Sequence, residues 1–204
     1  AVVRAEPPLA TAGQVHGHTI KTVATDADIR NSEEHADALV SELEDVLVGV
    51  KTADCVPILI GDPTRRAFAV INAGWRGTVQ SIVAKAGKEI LRVFGSDPSN
   101  LICAIGPAAG GQNYEVGQNV IDGFQDRFGE GSEKYFSQTR EGHALVDLHL
   151  ANKDQLIGSG VAAENIYTAP FCTMEWPDLF FSYRLEKQKY GKTGRLLSVI
   201  GRMR

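Results

Sequence analysis

Ala67-Phe68-Ala69-Val70-Ile71-Asn72-Ala73-Gly74-Trp75-Arg76-Gly77-Thr78 leads from a short apolar run, through a turn flanked by two glycines, into a segment with helical periodicity. The run 67–72 is bounded by turn residues, as a buried strand is. Beyond it, Val79, Ile82, Val83, Ala86, Ile90, Val93 and Phe94 recur at steps of three and four, so one face of a helix must pack on a sheet. Thr78 stands where a cap would start that helix, and Gly95 followed by Pro98 would end it.

The same reading extends outward from this stretch. Runs at 46–50 and 56–60 have the character of buried strands. Further strands are expected over 14–23, 38–41, 101–105, 144–146, 165–168, 180–184 and 196–200, with helices over 116–128 and 151–157. Many strands with interspersed helices, and no regular βαβ rhythm, predict an α+β fold of mixed β-sheets layered with helices. A length of 204 residues suits one domain over 1–204, and the opening at Ala1 without a methionine leads us to expect further residues ahead of it.

Composition narrows the function classes. A net charge of −4 gives no electrostatic reason to expect nucleic acid, because backbone binding needs a concentrated basic surface. The basic cluster Arg202 to Arg204, after Arg195, reads as a solvated tail. No apolar run approaches the roughly 20 residues of a membrane helix, and no secretory signal opens the chain, so no membrane partner is expected. Three widely spaced cysteines, Cys55, Cys103 and Cys172, fit a reducing compartment, and the cytoplasm is the expected location.

Several signatures are missing. GPAAGG at 106–111 lacks dinucleotide-fingerprint spacing, and there is no phosphate loop, no H-E-x-x-H and no C-x-x-C. The turn at 74–78 then stands out. Arg76 at a helix N-terminus would suit an anion, whereas the plainer reading is a tight turn with a packed Trp75 and a surface Arg76. Cys55 follows Asp54, whose charge raises a neighbouring thiol pKa, so Cys55 needs a cation or metal to be reactive; otherwise it is a small core residue. His16 is the candidate partner. Tyr114 and the cluster Phe180-Phe181-Ser182-Tyr183-Arg184 could line an aromatic pocket for a planar ligand or close the edge of a core.

Read together in order, these pieces resemble the YfiH family, also described as polyphenol-oxidase or laccase-domain proteins. They are QVHG at 14–17, ADALV at 36–40 with Asp37, KTADCVPILI at 51–60, AGWRGT at 73–78 and AIGPA at 104–108. YEVG at 114–117, LANKDQL at 150–156, FFSYR at 180–184 and GR at 194–195 continue the series. The resemblance implies a fold similar to cytotoxic-necrotizing-factor-type catalytic domains and a His–Cys–His cluster able to bind zinc. Its first two ligands fall on His16 and Cys55. The third falls on Asn72, where the family has histidine, and a neutral amide oxygen is a much poorer zinc ligand than imidazole. Asn72 thus stands for a weakened site, a substitute ligand such as His18, an engineered substitution or a diverged activity.

The family implies a purine nucleoside phosphorylase acting on adenosine, inosine or methylthioadenosine, with adenosine deaminase activity. Its partners would be the nucleoside and phosphate, at a site of His16, Cys55, Asn72 and Arg76, with Trp75, Tyr114, Phe181 and Arg184 around the substrate. Zinc would be the cofactor, weak or absent because of Asn72. One alternative is an amidase editing a peptidoglycan precursor, and another is a protein disabled at Asn72. A multicopper cluster, which would take about ten histidines, is not expected from a chain with five.

Overall fold

The computed structural model describes residues 6–204, so the first five residues of the domain expected over 1–204 lie outside the described residues. Among the described residues the strands are β1 (Leu9–Ala10), β2 (Ile20–Val23), β3 (Ala38–Ser41), β4 (Val46–Thr52), β5 (Val56–Gly61), β6 (Phe68–Ala73) and β7 (Ile102–Ile105). They continue with β8 (Glu115–Gly117), β9 (Phe136–Arg140), β10 (His143–Val146), β11 (Ile166–Thr168) and β12 (Leu196–Arg202). The helices are α1 (Asp26–Arg30), α2 (Trp75–Val79), α3 (Ile82–Phe94), α4 (Gln118–Phe128), α5 (Leu148–Gly158) and α6 (Tyr183–Tyr190).

Six strands form one sheet in the order β11-β7-β5-β6-β3-β2, a second sheet joins β1-β4-β12, and a third joins β8-β10-β9. In the large sheet β2 runs parallel to β3 and β11 to β7, while the pairs between them are antiparallel. This is the mixed-sheet α+β class expected.

Every residue of β6 is buried, which a strand achieves when both faces of its sheet are covered. Its side chains alternate between two cores. Ala69, Ile71 and Ala73 pack with Ile82, Val83, Ala86 and Ile90 of α3 in the core beneath the helices. Phe68 and Val70 pack with Leu39, Val48, Val50 and Ala10 in a second core between the large sheet and the β1-β4-β12 sheet. The apolar run that first suggested a strand is therefore the shared wall of two cores.

Several expectations need correction. The helix expected from Thr78 is two helices, because Ser81 takes a left-handed conformation at φ 59° and breaks the run. Thr78 lies inside α2, where its hydroxyl donates to the Gly74 carbonyl at 3.0 Å instead of capping a helix start. Gly95, at φ 66°, does end α3. The strand expected over 14–23 is confined to β2, because residues 15–17 wrap around a buried carboxylate.

No strand forms over 180–184. Ser182 caps α6 there, its Oγ accepting from the Leu185 N–H at 3.3 Å, so Tyr183 and Arg184 open a helix. The helix expected from 116 starts at Gln118. The one expected over 151–157 starts earlier, at Leu148, where the Asp147 carboxylate accepts from the Leu150 N–H at 2.8 Å. Helix α1, opened by a Thr25–Asp28 capping box, and strands β1, β8 and β9 were not foreseen.

Candidate functional site

The core between the two sheets changes character at one end. Along β4 the inward series Val48, Val50 continues to Thr52, and along β6 the series Phe68, Val70 continues to Asn72. Leu39 on β3 is preceded in the same series by Asp37, and Leu59 on β5 by Pro57 and then Cys55. With a period of two, four apolar series turn polar at the same end of the sheets. A cleft of about 350 Å³ opens there, with Thr52, Asp54, Cys55 and Asn72 among its lining residues.

Asp37, fully buried, organises the segment that carries His16. Its carboxylate accepts from the backbone N–H groups of Val15 (3.2 Å), His16 (3.0 Å) and Gly17 (2.7 Å), and from Asn72 Nδ2 (2.9 Å). Three successive N–H groups converging on one anion form a nest. That nest holds His16 at φ 60°, a left-handed conformation that costs a residue with a side chain about 1–2 kcal/mol. His16 and Asn72 are thus tied through one carboxylate, and the Asn72 N–H also donates to the Asp37 carbonyl at 2.7 Å.

The turn at 74–76 closes another wall. A Cβ on Gly74 would lie 2.9 Å from Cys55 Sγ and 3.8 Å from His16 Cδ2, so glycine lets both side chains approach this backbone. Trp75 and Arg76 follow at the rim, with the guanidinium stacked on the indole at 4.4 Å. Helix α2 has only five residues, so of the helix-end anion site weighed at Arg76 against a plain tight turn, only the Arg76 charge itself is left.

Asp54, at φ 81° in the corner where the chain leaves one sheet for the other, anchors the opposite wall. It accepts from Thr173 Oγ1 (2.8 Å) and the Arg184 N–H (2.6 Å), pinning the first turn of α6 to the cleft. Arg184 stacks on Tyr114 at 4.8 Å and donates to the Glu115 carbonyl at 2.7 Å.

The donor set does not fit a three-ligand zinc site. Among the described residues no group of three or more His, Cys, Asp or Glu side chains is placed to hold a metal ion. Asn72 offers only a neutral oxygen, because its Nδ2 already donates to Asp37. His18 is no substitute, since its Nδ1 contacts Gln80 Oε1 and it does not line the cleft. Burial, reinforced by the Asp54 and Asp37 charges, pushes the Cys55 thiol up to about 12, so without a metal it is a protonated S–H near neutral pH.

The structure brings His16, Cys55, Asn72, Arg76, Trp75, Tyr114 and Arg184 to one cleft. Phe181 is not among the lining residues. Its ring lies against Gly194, where a Cβ would come within 2.6 Å, and Tyr183 supplies the aromatic surface at the cleft instead. Sequence reasoning did not single out Lys51, Thr52 and Arg195, and it read Tyr183 only as part of the aromatic cluster over 180–184. With Arg76 and Arg184, Lys51 and Arg195 put four cations around the cleft from four separate segments. Among the described residues none of the four forms an ion pair with a carboxylate.

A family model described as multi-copper polyphenol oxidoreductase laccase matches residues 2–203. The chain belongs to that laccase-domain family. Solved members similar to it include the Bacillus licheniformis hypothetical protein YfiH, at 31% identity and a TM-score of 0.90 over 98% of this chain and 76% of that one. YlmD from Geobacillus stearothermophilus matches at 33% identity and a TM-score of 0.89, over 97% of this chain and 74% of that one. Curated relatives of this laccase-domain chain include a purine nucleoside phosphorylase of Xylella fastidiosa, 33% identical over 86% of the chain and 66% of the relative. The purine nucleoside phosphorylase YlmD of Bacillus subtilis is 31% identical over 93% of the chain and 69% of the relative. The chain spans about two thirds of the length of the curated relatives it matches.

Proposed function

We propose that the chain is a purine nucleoside phosphorylase whose cleft holds phosphate and nucleoside side by side. The observation that carries this reading is the set of four cations, Lys51, Arg76, Arg184 and Arg195, turned on a cleft with no carboxylate paired to them among the described residues. Guanidinium forks suit phosphate oxygens, and unpaired cations at a cleft raise local anion concentration. A volume of about 350 Å³ lies within the usual range for small-ligand sites, and Trp75, Tyr114 and Tyr183 offer aromatic surface for a base. The names of the curated relatives support the same reaction.

In phosphorolysis a phosphate oxygen bonds to C1′ of the ribose as the bond from C1′ to the base nitrogen breaks. The electron pair passes to the base, which takes a proton, and ribose 1-phosphate and free base leave. The cations hold and orient the phosphate, which converts an encounter between two solutes into an oriented one. The imidazole of His16 is the proton donor we assign to the departing base.

The family's other activities draw less support from these residues. Adenosine deamination needs a strongly activated water, and the donor set lacks a third strong ligand for a metal to supply one. Amide hydrolysis by a thiolate is opposed by the Cys55 thiol held near 12. We place the protein in the cytoplasm on its free cysteines, Cys55, Cys103 and Cys172. No helix among the described residues is long and apolar enough to cross a membrane.

The test is incubation of the purified protein with adenosine or inosine, with and without phosphate, and chromatographic measurement of base and ribose 1-phosphate. Phosphate-dependent release of base is expected. Inosine formed from adenosine without any phosphate effect would replace this reading with deamination.

A further inference from the structure

Two residues that line the cleft each carry a buried polar atom with no hydrogen-bond partner, Thr52 Oγ1 and Asn72 Oδ1. Their residues are 2% and 1% exposed. A buried polar atom left unpaired costs about 1–3 kcal/mol, so two among the residues of one cleft point to a site for a partner. The Asn72 amide cannot relieve this by turning over. Its Nδ2 donates to the Asp37 carboxylate, and the flipped amide would set an oxygen against that anion, so Oδ1 is fixed as an acceptor. Thr52 Oγ1 can donate or accept.

We propose that Asn72 and Thr52 form a neutral hydrogen-bonding subsite at the buried end of the cleft, and that it takes the hydroxyl-bearing sugar edge of the nucleoside. The identification of the sugar rests on the phosphorylase reading above. A vicinal diol matches the two protein atoms: one hydroxyl donates to Asn72 Oδ1, and the other exchanges a hydrogen bond with Thr52 Oγ1. The flat base then lies toward Trp75, Tyr114 and Tyr183, which are only partly buried or exposed, and the exposed Lys51, Arg76 and Arg195 lie toward solvent, where phosphate enters. Asn72 thus acts as a substrate-specifying residue in a position where a metal site would need a strong ligand.

Thr52→Val is the informative variant, because it removes an atom that has no partner in the free protein while keeping the shape of the side chain. Its Tm should equal or exceed that of the wild type, and its affinity for adenosine should fall roughly fivefold, the loss of one neutral hydrogen bond. Asn72→Leu should weaken adenosine at least as much. Calorimetric titration of adenosine, 2′-deoxyadenosine and 3′-deoxyadenosine into the wild type should show weaker binding of at least one deoxynucleoside. For the deoxynucleoside lacking the hydroxyl that Thr52 meets, Thr52→Val should cost nothing further. Equal binding of all three nucleosides by the wild type, with no change in Thr52→Val, overturns the subsite and leaves the phosphorylase reading standing. Failure of the wild type to bind adenosine at all overturns that reading and the sugar subsite with it.

Discussion

Four hydrogen bonds end on the Asp37 carboxylate, three from the segment that carries His16 and one from Asn72. Asp37→Asn would replace one acceptor oxygen with an N–H pair aimed at donors and remove the charge that strengthens every bond in the nest. The expected cost is about 3 kcal/mol, seen as a Tm lower by about 6–12 °C in scanning calorimetry. A Tm within a degree of the wild type would show that the nest is not what holds His16 at its positive φ. Asn72 gives a second prediction at this scale. Wild-type protein equilibrated with zinc and passed through a desalting column should retain far less than one zinc per chain, whereas Asn72→His should retain about one, since imidazole completes the donor set. Stoichiometric zinc on the wild type would contradict the argument from donor chemistry. His16, Cys55, Asn72 and Arg76 were legible as candidates because each sits in a short motif. Thr52 and Asp37 carried a subtler signal, the period-two series in which Val48, Val50, Thr52 and Leu39, Asp37 turn polar at one end. That signal becomes visible only when the pairing of sheets is known.

Among the elements, the strands were easier to read than the helix boundaries. β5 and β6 declared themselves as apolar runs between turn residues, because both faces of the large sheet are covered and neither face has to be polar. The break between α2 and α3 left no mark on the apolar periodicity, since it consists of one serine in a left-handed conformation whose hydroxyl is engaged by Arg127 at 3.0 Å. Helix α6 was misread as a strand because Phe180, Phe181 and Tyr183 suggest β structure, while the deciding contact is the Ser182 cap. That cap places Tyr183 and Arg184 at the cleft. Ser182→Ala should destabilise the protein by about 1 kcal/mol and raise the Michaelis constant for nucleoside, with the larger fractional effect on the Michaelis constant than on kcat. Unchanged kinetics in a variant with a lowered Tm would detach α6 from substrate binding.

For the molecule as a whole, the fold brings a charge-poor inter-sheet core and a cation-rich cleft end to end, and the small β8-β10-β9 sheet braces one wall of that cleft. Arg140 and then Thr139 hydrogen-bond the Glu115 carboxylate and hold it at about 2, below its ordinary 4.5. A carboxyl with a lowered folded pKa contributes stability that is fully present above 4.5 and is lost as the pH falls toward 2. Glu115→Gln should therefore flatten the decline of Tm across that window by lowering the neutral Tm slightly and meeting the wild type at the acid end, a small effect because the pair is exposed. An acid limb identical to the wild type would remove Glu115 from the account. The central claim, however, is that the cleft's cations bind phosphate for attack on a nucleoside. The most direct measurement is the Michaelis constant for phosphate, at saturating nucleoside, in the wild type and in Arg76→Gln and Arg195→Gln. Each variant loses a charged hydrogen-bond donor, so the constant should rise about tenfold or more, with the nucleoside constant little changed. A phosphate constant unchanged in both variants, or a rate that does not depend on phosphate, would contradict the claim.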